Sequence, residues 1–239
     1  FEWISQQVQL VPAGTLAPAS LGLDQAQARP YDVLLRGMAT EEGGLWSERG
    51  WLFMVLCRQL GIDVGLLTYQ PRNRSEPVGW ICGVLADKGV YLFDQRIGLP
   101  VPSPDGLGVA TLEQAIRDPQ VLGQLDLPGQ SPYLTTQADL AASKFTVLME
   151  SSPGFMAPKM ALLQKRLAGQ NRMVLFRDPA DQVARFRSAL GDRLDRVALW
   201  EMPIAVMTML FTDPKYVTSI QETIKMFDAQ LPLLGARLA

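Results

Sequence analysis

From Ser47 to Gly61 the chain reads Ser-Glu-Arg-Gly-Trp-Leu-Phe-Met-Val-Leu-Cys-Arg-Gln-Leu-Gly, and Trp51 to Cys57 follow one another without a polar break. Ser47 is a good N-cap, Glu48 suits the positive end of a helix dipole, and Gly61 supplies a C′ stop. A helix that is apolar on nearly every side has no face to give to water, so it belongs at the centre of a domain. Three strand candidates follow at once. Val64 to Tyr69 is the first. Val78 to Leu85, apolar on both alternating faces, reads as a central strand. Val90 to Asp94 returns after the tight turn Ala86-Asp87-Lys88-Gly89.

The rest of the chain can support such a core. Of 239 residues, 48% are apolar and 19% charged, which excludes global disorder. The net charge of −2 comes with no basic stripe, so a nucleic-acid partner is not expected. No apolar run is long enough for a membrane span; the nearest, Met202 to Phe211, is too short. Its methionines Met202, Met207 and Met209 read as core filler. No signal peptide is read in the sequence that starts at Phe1, and it reads as a processed or excised piece of a longer protein from which a targeting signal or anchor could be missing.

Residues 1–30 read as an extended arm, Tyr31 to Met38 as a short helix or strand, and Thr40 to Gly44 as a loop. The capping box Thr111-Leu112-Glu113-Gln114 opens a helix to about Leu122. Gly123 to Tyr133, with Pro128, Gly129 and Pro132, is the natural boundary. The chain then divides into 1–125 and 126–239. Beyond the boundary come a strand (145–149), a helix (158–168), a strand (173–176) and a helix capped by Asp178 with Pro179 at its first position. An apolar segment (197–211) and a last helix opened by Asp213-Pro214 complete the order. The expected class is α+β: a buried helix on an antiparallel sheet, then a small α/β module and a C-terminal helix.

Function is constrained mainly by an omission: the chain has no histidine. That excludes Ser-His-Asp and Cys-His-Asp triads and every histidine-based zinc site within the chain. The chain also has no P-loop, dinucleotide fingerprint, EF-hand or CxxC motif, and no cofactor or metal is expected.

The core stretch resembles the transglutaminase-like, papain-like superfamily. Leu56-Cys57-Arg58-Gln59-Leu60-Gly61-Ile62-Asp63-Val64 is similar to that family's LLRxLGIPA signature. Val78-Gly79-Trp80 stands where the family has His-Ala-Trp, and Tyr91-Leu92-Phe93-Asp94 where it has a strand ending in aspartate. The resemblance covers roughly Gly43 to Leu99. It implies a nucleophilic cysteine at the helix start, a histidine base on a strand and an aspartate that orients the ring. Carried over position by position, the cysteine falls at about Trp46 and the histidine at Val78; only Asp94 matches. The resemblance therefore implies a catalytically inactive member, a scaffold or a protein- or peptide-binding module. Its old cleft would persist as a groove lined by Trp46, Trp51, Trp80 and Asp94. It also implies a bacterial, cell-envelope or periplasmic setting.

Other readings stay open. The two cysteines, Cys57 and Cys82, lie in apolar runs and read as core, although one disulfide is compatible with the sequence. An active cysteine hydrolase or acyltransferase would use one of them with a carboxylate or a partner chain's histidine. An interaction subunit of unrelated fold is the third reading. Ser47 reads as a cap, Asp94 as a carboxylate bonded to backbone or paired with Arg96 or Arg58, and Glu41-Glu42 as a solvated loop pair or a cation ligand. Core packing is the alternative for the tryptophans. Lys159, Lys165, Arg166 and Arg172 are either a solvated face or a basic patch for an anionic partner.

Overall fold

The computed structural model describes residues 1–11, 33, 37–40, 47–71, 75–87, 89–126, 132–150, 156–167, 174–201 and 218. Its elements are α1 (Glu2–Gln7), β1 (Gln9–Val11), β2 (Met38–Thr40), α2 (Glu48–Gln59), β3 (Asp63–Tyr69), β4 (Val78–Ala86), β5 (Gly89–Asp94) and β6 (Leu99–Pro100). They continue with α3 (Leu112–Arg117), α4 (Pro119–Gly123), α5 (Gln137–Ala142), β7 (Phe145–Glu150), α6 (Pro158–Arg166), α7 (Pro179–Leu190) and β8 (Leu194–Trp200). Trp46, Glu41-Glu42, Arg172, the Met202 to Phe211 run and the expected last helix lie outside the described residues.

α2 forms as its sequence requires. The Ser47 hydroxyl accepts the Gly50 N–H at 3.0 Å. Gly61 turns the chain at φ +76°, which lets its own N–H reach the Arg58 carbonyl and that of Ile62 reach the Cys57 carbonyl. Nearly the whole helix is buried, including Trp51, Leu52, Phe53, Met54 and Cys57.

One six-stranded mixed sheet organises the molecule, in the order β6-β5-β4-β3-β7-β8. All neighbours are antiparallel except β7 and β8, which are parallel. β7 and β8 lie beyond the expected boundary at 125/126, yet β7 pairs directly with β3. The second half thus extends the sheet of the first instead of forming its own module.

Each face of the sheet carries a core. On one face α1 and α2 pack through Ile4, Trp51, Leu52, Met54 and Cys57 against Leu66, Cys82 and Leu148. On the other, α3, α4, α5 and α7 supply Leu112, Ile116, Val121, Leu122, Leu140, Phe186 and Leu190 to Leu67, Ile81, Leu92 and Val147. Gly65 and Gly83, opposite each other on β3 and β4, leave a shallow hollow on that second face. A Cβ at Gly65 would run into Val147 Cγ1, with Phe186 of α7 just above at 3.7 Å. Glycine is needed there so that Val147 of the neighbouring strand β7 can lean over β3; the Phe186 ring would make only ordinary contact with a Cβ.

Several expectations are corrected. Residues 1–11 form α1 and β1, not an extended arm; β1 is held in parallel by β2. The helix opened by Thr111 breaks at Asp118, whose extended backbone ends α3 and whose carboxylate caps α4. The chain around 174–176 joins no sheet. The Gln164 side-chain carbonyl takes the N–H groups of Leu175 (2.6 Å) and Phe176 (3.0 Å), donors that a strand neighbour would have needed. β8 begins three residues before the apolar segment from which it was not distinguished.

Candidate functional site

Asp94 is fully buried at the end of β5. Its Oδ1 accepts the backbone N–H of Arg96 (2.8 Å) and of Ile97 (3.3 Å), and its own carbonyl accepts the Gly98 N–H, so the carboxylate caps the turn that follows the strand. Its Oδ2 receives the Tyr133 hydroxyl and Arg96 Nη2 (3.3 Å). The Tyr133 oxygen in turn accepts Trp80 Nε1 at 3.1 Å and Arg96 Nη2 at 3.4 Å. Asp94 is thus paired with Arg96, as one expectation held; Arg58 goes elsewhere.

A β-bulge brings Trp80 into this cluster. Leu67 pairs with Ile81 but Thr68 pairs with Gly79, so Trp80 is the extra residue and swings to the same face as Ile81. The adjoining polar groups are met by Gln95, whose side chain accepts the Cys82 N–H (3.2 Å) and donates to the Trp80 carbonyl (3.3 Å). Tyr69 and Phe145 pack edge-on and tilted around the Trp80 ring, with centroids 6.1 and 6.3 Å away.

The electrostatics of the cluster favour permanence. Burial alone would lower the Arg96 guanidinium, but the Asp94 carboxylate and the Tyr133 oxygen hold it above its ordinary value. Burial, with Asp94 beside it, pushes the Tyr133 phenol well up, so it remains a donor. Both Asp94 oxygens are already engaged by the Arg96, Ile97 and Tyr133 donors, which leaves it badly placed to orient a base.

Of the positions to which the resemblance assigns a triad, Trp46 lies outside the described residues, and Val78 and Asp94 lie on the neighbouring strands β4 and β5. Asp94 lies two residues on from Leu92 and shares its face, the one away from α2. Ser47, the cap of α2, lies at the other face. Val78 is half-buried at the start of β4 opposite Tyr69, four residues before Cys82, where the β4–β5 pairing ends. That is about 13 Å of strand. What faces the α2 N-terminus instead is Cys82, with its Sγ 4.0 Å from the Gly50 carbonyl, and Gln95. Trp51 and Trp80 are both buried, in cores on opposite faces. Trp80 and Asp94 share one cluster, whereas Trp51 lies on the far side of the sheet and does not line a groove with them; Trp46 lies outside the described residues.

Both cysteines are buried thiols, and no disulfide joins them. Burial pushes the Cys57 thiol up to about 11, against a small opposite pull from the charged amino terminus. The thiolate that nucleophilic chemistry needs is therefore suppressed.

Two further ionic clusters escaped the sequence reading. Arg58, deep on α2, pairs with Glu150 at the end of β7, and Glu150 also accepts Trp51 Nε1 at 3.2 Å. Burial pulls the Arg58 guanidinium down from its ordinary value to about 9, so it still carries its charge at neutral pH. Asp63, at the start of β3, receives Arg177 (2.6 and 3.2 Å) and Gln182 (3.1 Å) on Oδ1 and Arg185 on Oδ2. These clusters tie α2 to β7 and α7 to β3. Glu150, Arg177 and Tyr133 carry no motif; only their distant partners give them meaning.

Among the described residues no group of histidine, cysteine, aspartate or glutamate side chains is arranged to hold a metal ion, and no helix is long and apolar enough to cross a membrane. No protein family, curated protein or solved structure matches this chain.

Proposed function

We infer that this chain is a non-catalytic α+β domain that acts as a scaffold or as a protein- or peptide-binding module. The observation that carries the reading is the use made of Asp94. Its carboxylate serves Tyr133, Arg96 and a turn, on the sheet face opposite the helix that would present a nucleophile. The transglutaminase-like ancestry belongs to the same proposal. It is supported by the order α2-β3-β4-β5, a buried helix followed by three consecutive antiparallel strands with the helix packed upon them. In such a descendant the aspartate has passed from proton handling to an internal ion pair and a turn, and function passes to surfaces.

Native-state alkylation tests this. Incubated with iodoacetamide at neutral pH and read by intact mass and peptide mapping, the folded chain is expected to stay unmodified at Cys57 and Cys82 until denaturant is added. Rapid stoichiometric labelling of one cysteine in the native protein would support the alternative, a cysteine hydrolase or acyltransferase, and would overturn the non-catalytic reading.

A further inference from the structure

Pro158–Arg166 is a helix with no buried residue. It lies against the molecule along Met160, Ala161 and Gln164, which are half-buried, and Gln164 is the polar pin described above. At 100° per residue those three positions share one side. The opposite side presents Lys159, Leu162, Leu163 and Arg166, spaced i, i+3, i+4 and i+7. Leu162 and Leu163 are 64% and 42% exposed, and Leu167 just beyond the helix is 59% exposed. From Pro158 to Leu167 the sequence Pro-Lys-Met-Ala-Leu-Leu-Gln-Lys-Arg-Leu holds Lys159, Lys165 and Arg166 and no carboxylate.

Exposed leucines alone would not identify an occupant. Exposed leucines among cations, in a segment without any anion, in a protein whose net charge is −2, amount to a local reversal of sign. That combination matches a surface that is negatively charged outside and apolar just beneath, and that places no demand on the shape of the inserted side chains. We propose that the outer face of α6 docks peripherally on anionic phospholipid bilayers, with Leu162 and Leu163 in the acyl boundary and Lys159 and Arg166 at the headgroups. An acidic protein groove would use the same cations but would also require a fit to the leucines, and nothing in the helix shows a shaped ridge.

The full 239-residue chain is to be sedimented with vesicles of phosphatidylcholine alone and of phosphatidylcholine mixed with phosphatidylglycerol. Binding is expected only to the mixed vesicles, and it should weaken as salt is added. The Lys159→Glu/Arg166→Glu double variant should lose about tenfold or more in apparent affinity. Leu162→Gln/Leu163→Gln should lose binding as well. Both variants should keep the parental circular dichroism and melting temperature, because the altered side chains are exposed. No binding to the mixed vesicles overturns the proposal, as does binding that either double variant leaves unchanged. Binding to poly-glutamate in solution that equals vesicle binding and ignores the leucine substitutions would also overturn it, and would assign the face to an acidic polypeptide.

Discussion

The Tyr133 hydroxyl donates a hydrogen bond to the buried Asp94 carboxylate, tying the chain just after a proline- and glycine-rich stretch to the end of β5. This bond closes a small network in which Trp80, re-aimed by a bulge, and Arg96 are also engaged. Position for position, Asp94 is where the resemblance asks for a catalytic aspartate; by its bonds it is a keystone of folding.

The Arg58–Glu150 pair is buried on both sides and joins the central helix to β7. Glu150→Ala removes one buried carboxylate from the Arg58 guanidinium and one acceptor from Trp51 Nε1, and should cost about 3–5 kcal/mol in urea unfolding. Arg58→Met combined with Glu150→Leu should recover most of that loss, because an apolar pair carries no desolvation cost. If the double variant is no more stable than Glu150→Ala, the pair does more than neutralise itself.

The Cys57 thiol, raised by burial from 9.0 to about 11, sets an alkaline limit. The unfolded chain ionises this thiol first. Below about pH 9 both states hold the proton and the group has no effect on the pH slope; between about pH 9 and 11 only the unfolded state gains by losing it. Stability should therefore fall through that window, with roughly 2 kcal/mol traceable to this thiol. Cys57→Val, close in volume, should flatten that component of the decline when unfolding free energies are compared at pH 8 and pH 11.

Gly65 is needed where β3 passes beneath α7. Gly65→Ala would drive its methyl group into Val147 and toward the Leu148 carbonyl, 3.2 Å away. The expected cost is about 1–3 kcal/mol, the usual range for overpacking a core. Gly123→Ala, in open space on the exposed side of α4, is the control and should leave the melting temperature unchanged or slightly raised.

What was legible in the sequence follows the range of the interactions. Ser47 and Gly61 bound α2 through contacts within one turn, and the β4–β5 hairpin is set by its own short connection, so both could be read locally. α1 could not, because its short Gln-rich turn holds its place through Ile4 in the α2 core. The expected strand near 173–176 failed because Gln164, eleven residues before Leu175, takes the backbone donors. The prolines and glycines from Gly123 to Tyr133 suggest a boundary, yet β7 beyond it pairs with β3 before it. At the site itself, Asp94 and Arg96 were readable as neighbours, whereas Tyr133 lies thirty-nine residues away from Asp94 and Glu150 ninety-nine from Trp51.

The most direct test of the role given to Asp94 is a double-mutant cycle with Tyr133, using urea unfolding of the parent, Asp94→Ala, Tyr133→Phe and the combined variant. A structural hydrogen bond to a charged, buried partner predicts a coupling of about 1.5–3 kcal/mol. Strictly additive effects, or an Asp94→Ala variant as stable as the parent, would contradict it and release the carboxylate for some other task.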